Sequence, residues 1–207
     1  NGSDDAYSRT ISLDAGVALA FAGPIGQALE TGDVAELPTT VTFTATGDVD
    51  LGNAAISALD GITVSAGIDG SGGIRGNVIT QLEVTNSGSD IELTAGSNSG
   101  AISLTNVSLT AVDRIGLEAA GGDIVHSGAL ITADELEITG GGNVTANTSI
   151  ATLTAGLTGS GDLTLTNDRS LTASSATNDD GAISLTAYGN LVATNVRTSG
   201  GKDDDDI

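Results

Sequence analysis

The sequence predicts an all-β fold, a parallel β-solenoid with coils of about 20 residues. Three observations lead there. A short unit, apolar–x–apolar followed by Thr, Ser or Ala and then Gly or Asn, recurs along most of the chain. Copies of that unit return at near-constant spacing, as from Ile62 to Leu82 to Ile102 and from Ile91 to Ile115 to Leu136. The hydrophobic residues are 39% of the chain but the aromatics only 2%, with no Trp, Met or Cys. A globular core fills irregular space with large aromatics. A narrow core of Ile, Leu, Val and Ala stacked on themselves needs none.

Residues 1–40 open the chain. They hold both prolines, Pro24 and Pro38. A solenoid exposes strand edges and core at its ends unless these are covered, so this segment is expected to be a cap or an inter-subunit connector. Its apolar run Ala15–Leu29 is too short for a comfortable membrane span and contains Pro24. Residues 41–201 are the expected solenoid. The clearest strands are Ile62–Gly67, Leu82–Gly88, Ile91–Gly96, Ile102–Asn106, Ile115–Gly122, Leu136–Gly142, Leu163–Asn167 and Ile183–Gly189, with weaker ones such as Asp123–Gly128 between them. Strict alternation over such short runs is the strand signal. The 30 glycines and the recurrent Asn supply the positive-φ corners. Roughly eight coils spaced about 4.8 Å apart would make a rod about 40 Å long. The alternative is a β-sandwich, against which stand the missing core Trp and Cys and the repeat spacing. Residues 202–207, KDDDDI, form an acidic tail.

The net charge is −21 with only 6 Lys and Arg. Nucleic acid is not an expected partner, since its binding needs clustered cations to displace counterions. Anionic membrane surfaces would repel the chain, and no membrane insertion is expected. Divalent cations, basic partners or simple solubility suit such acidity.

The segments GDVDLG, DGITVSAG, SDIELTAG, GAISLTN, GGDIVHSGALITADELEITGGG and SGDLTLTN resemble the repeats of filamentous-haemagglutinin-like exoproteins and of large bacterial surface adhesins. The resemblance covers about Thr40–Gly201. It implies a right-handed parallel β-helix, secreted to the cell exterior, serving as an adhesive or structural shaft. The Asn-Pro-Asn motif of that family's secretion domain does not occur in this sequence.

No catalytic centre is expected. A polysaccharide lyase on a β-helix would need acids facing Arg on one wall. The basic residues Arg9, Arg75, Arg114, Arg169, Arg197 and Lys202 are scattered, near coil corners. Glu83, Glu92, Glu118 and Glu137 are expected to point outward as a solvated acidic face. His126, the one His of the chain, is expected at an outward surface position. Calcium is the one cofactor considered: GDVDLG and GIDGSGGIRGNVI fail as calcium loops, and Asp203, Asp204, Asp205 and Asp206 remain as candidate oxygen ligands. Asp4–Asp5 and Asp179–Asp180 are further acidic pairs.

The resulting expectation is a non-enzymatic extracellular rod at the cell surface, a fibre or adhesin shaft. Its partner is itself, head to tail, or the neighbouring repeats of a longer chain. The alternative is a module that binds a host or cell-surface glycan or receptor, and a polysaccharide lyase or hydrolase is a third class.

Overall fold

The computed structural model describes residues 10–21, 25, 37–52, 54–77 and 81–199. These residues form twenty strands in one continuous sheet. Every strand pair is parallel. The fold is a β-solenoid of about 7 turns with about 21 residues per coil, and no helix occurs among the described residues. None is therefore long and apolar enough to cross a membrane.

Each coil contributes to three walls. The first wall stacks Thr10–Ala15, Thr40–Ala45, Gly61–Ser65, Asp90–Thr94 and Arg114–Ala119 in order, and continues with the ends of Ile131–Gly140, Val144–Leu157 and Leu171–Asn178, then Val196–Thr198. The second wall runs from Leu19–Ala20 through Val49–Asp50, Ile74–Asn77, Ile102–Thr105, Ile124–Ser127, the start of Val144–Leu157 and Leu163–Asn167 to Ile183–Ala187. The third holds Ala55–Ala58, Gln81–Val84, Ser108–Thr110 and Leu191–Ala193, with the starts of Ile131–Gly140 and Leu171–Asn178 and the middle of Val144–Leu157.

Register places like on like. In the first wall Ile11, Val41, Ile62, Ile91, Ile115, Leu136 and Leu153 lie on one another. Leu13, Phe43, Val64, Leu93, Leu117, Ile138, Ala155, Ala176 and Val196 make a second column beside it. The side-chain period of two makes any one-residue slip expose a whole column, and this fixes the register. The two phenylalanines, Phe21 and Phe43, pair at the start of the rod with ring centroids 4.4 Å apart.

Corners follow the residues the sequence marks for them. Asn106 turns at φ 57° and Gly67 at φ 66°. A Cβ at Gly67 would also run into the backbone of Gly72, so the corner needs glycine for space as well as for φ. Asn167 is buried and fully used. Its Oδ1 accepts from Ile150 N and Thr148 Oγ1, and its Nδ2 donates to the carbonyls of Ile150 and Arg169.

Stacking begins before residue 41. Thr10–Ala15 already lies in register on Thr40–Ala45, and Leu19–Ala20 on Val49–Asp50. Part of the segment expected as cap or connector is thus a solenoid coil. Its alternation, TISLDA, is the same signal in a shorter run. The acidic tail at 202–207 lies outside the described residues.

Candidate functional site

Charged side chains cluster most densely on the outward face of the first wall. Arg114 stands in register on Asp90, and Gly116 on Glu92. The next coil puts Glu137 over Gly116. Arg114 Nη2 is 3.1 Å from Asp90 Oδ2, and Nη1 is 3.1 Å from Glu137 Oε2. The same guanidinium contacts the Glu92 carboxylate. A Cβ at Gly116 would collide with that carboxylate, so glycine opens the column between Glu92 and Glu137 and lets both turn to Arg114. Glu92 and Glu137 share an outward column and Glu118 lies in the next, over Thr94, so the acids do not form an uninterrupted ladder.

Electrostatics follow from this crowding. Burial pushes the Glu92 carboxyl up; Arg114 opposes the shift, while Asp90 and Glu137 add to it. Burial also works to lower the Arg114 pKa, but the Glu92 charge and the bond to Asp90 outweigh it and hold the guanidinium above its ordinary value. One cation is shared by three carboxylates. The cluster remains net negative, and a substrate anion approaching Arg114 would meet that charge. The chemistry it supports directly is a tie across three successive coils.

Other arginines do similar work. Arg75 Nη2 reaches Asp48 Oδ2 on the preceding coil at 2.9 Å. Arg169 Nη2 donates to the Ala133 carbonyl at 2.6 Å and lies 3.9 Å from Asp134. Residues scattered in the sequence are therefore brought together between coils. The signal that would have found these ties is the coil offset, as in the 24 residues that separate Asp90 from Arg114.

His126 is not at the surface. It is fully buried, stacked over Leu104 in an aliphatic column of the second wall. Its Nε2 lies 2.7 Å from the Val107 carbonyl, while Nδ1 has no partner. The Nε2–H tautomer satisfies this geometry, since a carbonyl can only accept. The outward neighbour is Val125, which is 37% exposed. In Ile-Val-His-Ser either Ile or Val can be the inward residue. The column of Ile74, Ile102 and Val144 selects Ile124, and His126 follows it inward.

The two ends present a different surface. On the first strand Leu13 is 40% exposed although it heads an inward column. On the last coil Leu191 is 45% and Val196 40% exposed, although their columns are buried one coil below. Asp203, Asp204, Asp205 and Asp206, the calcium candidates, lie outside the described residues. Among the described residues no group of three or more His, Asp or Glu side chains is placed to hold a metal ion.

No family model, curated protein or solved structure matches this chain.

Proposed function

We propose that the chain is a non-enzymatic structural or adhesive protein of the cell exterior. It is a solenoid rod of the kind the filamentous-haemagglutinin-like repeats build, working as a section of a surface fibre or adhesin shaft. The observation that carries this reading is where the charge goes. Arg75, Arg114 and Arg169 are each engaged with groups on other coils, while aliphatic columns run through the whole stack. A protein built this way spends its polar contacts on cohesion along the axis. Its acidic exterior keeps a repetitive apolar chain in solution.

The reading includes self-association end to end. Unlike ends make heterologous contacts, which propagate rather than close. Electron microscopy of the full chain over a range of concentrations, with calcium and with chelator, tests it. Fibres of constant width are the expected result, and their loss in chelator would assign calcium, through Asp203–Asp206, to the joint. Isolated short rods under every condition would overturn self-assembly and leave the shaft-section form of the proposal.

A second reading, glycan binding, has one observation in its favour. Tyr188 is 80% exposed, and it borders a groove with Leu130, Asn147 and Asp168. An exposed ring beside amide and carboxylate groups can stack on and hydrogen-bond a sugar. Glycan-array binding that disappears in Tyr188→Ala would favour it; silence on the array would remove it.

A further inference from the structure

Among the described residues Arg197 is the one arginine with no ion-pair partner; Arg75, Arg114 and Arg169 all have one. It stands on Val196–Thr198, the last described strand of the first wall. Its outward column can be followed down the rod through Thr177, Gly156, Thr139, Glu118, Thr94, Ser65 and Thr44. The column ends, on the first strand, at Asp14. Asp14 likewise makes no ion pair with any described residue. An acid at the foot of one outward column and a base at its head are complementary only if one rod stands on another.

The neighbouring inward column gives the same alignment. It starts at Leu13 and ends at Val196, each 40% exposed. An in-register placement of a second copy on the first wall therefore lays Leu13 on Val196 and Asp14 on Arg197.

Resting on the end-to-end reading above, we infer that the partner of the last coil is the first strand, Thr10–Ala15, of a second copy of this chain, docked parallel and in register so that Asp14 pairs with Arg197. The exposed ladder edge supplies backbone hydrogen bonds, and the apolar column of Leu13 and Val196 supplies buried area. The charge pair selects the register, since a like charge at that spot would be repelled.

The chain contains no cysteine, so a disulfide can report the joint. Asp14→Cys with Arg197→Cys places the two thiols at opposite ends of one molecule and adjacent across the joint. Neighbouring parallel strands are about 4.8 Å apart, within the Cα separation a disulfide accepts. Mild oxidation of this full-length variant is expected to give a ladder of linked multimers on a non-reducing gel. Ser12→Cys with Arg197→Cys keeps the same face but shifts the pair by two residues, about 6.7 Å, and should link at least tenfold more slowly. A second measurement uses charge. Arg197→Glu alone and Asp14→Lys alone should each weaken assembly, and an equimolar mixture of the two should restore it, because every joint then pairs opposite signs.

Equal linking by both cysteine pairs, or no rescue in the mixture, would overturn this register. Fibres that form without either pair linking would overturn it while leaving end-to-end assembly standing. Unmodified chain that sediments as single rods at every concentration would overturn both, and would assign the last coil to residues 200–207 of the same molecule or to a longer chain.

Discussion

His126 is the residue on which the lattice is least comfortable. Burial lowers its pKa below the ordinary histidine value, against a smaller opposing pull from the Val107 carbonyl. The unfolded chain then binds the proton more readily than the fold does. Stability is expected to be highest above the ordinary histidine pKa, about 6.5, and to decline as pH falls through it toward the lowered folded value. Urea melts of His126→Leu should lack that part of the pH dependence. At neutral pH this variant should differ by no more than about 1 kcal/mol, because the apolar gain offsets the bond lost at Val107. Asn167 is the opposite case. Replacing it with Leu strands the Ile150 N–H and C=O inside the corner, and the cost should be about 2–4 kcal/mol in the same measurement. The two residues differ in how well they could be read. Asn167 ends Leu-Thr-Leu-Thr-Asn, a repeat with one possible phase, which turns it inward; the positive φ expected of such an Asn is found at Asn106 and not at Asn167. His126 follows Ile-Val, where two phases compete, and only neighbouring coils decide between them.

Strands were legible wherever a turn residue bounded them. Asp90–Thr94 and Ile102–Thr105 lie where alternation and the flanking Gly and Asn place them. Val144–Leu157 was not legible as one element, because its fourteen residues pass through all three walls without a loop between them. Partner choice was also hidden. A strand's neighbours lie a coil away, and coil length varies, from 17 residues between Glu135 and Thr152 to 30 between Thr10 and Thr40. That variation is why Arg114 and its three acids could not be grouped beforehand. Their role is cohesive, and Arg114→Met tests it. Removing the cation leaves Asp90, Glu92 and Glu137 facing one another. Stability at low salt should fall by about 1–2 kcal/mol, part of it repulsion that shrinks when salt screens the wall. A thermal or urea melt at two ionic strengths reads both effects. A loss unchanged by salt would mean that packing of the arginine stem, not its charge, holds the coils there.

At the scale of the molecule the net charge of −21 opposes any contact between copies at long range. Higher salt should therefore favour assembly until it weakens the contacts of the joint itself, and the sedimentation profile against ionic strength should pass through a maximum. A fold of this kind has contacts mainly between adjacent coils, and its stability is approximately a sum over interfaces.

The parallel stacking also sets how the rod answers force. Each coil advances the axis by one strand spacing, about 4.8 Å, yet stores about 21 residues of chain. Peeled off the end, that length extends to about 70 Å at about 3.4 Å per residue. A tethered rod pulled from its termini should lengthen in discrete steps of roughly this size, one per coil, and single-molecule stretching would record them as a sawtooth. The stack is then a spool that gives out slack in measured lengths before any covalent bond carries the load.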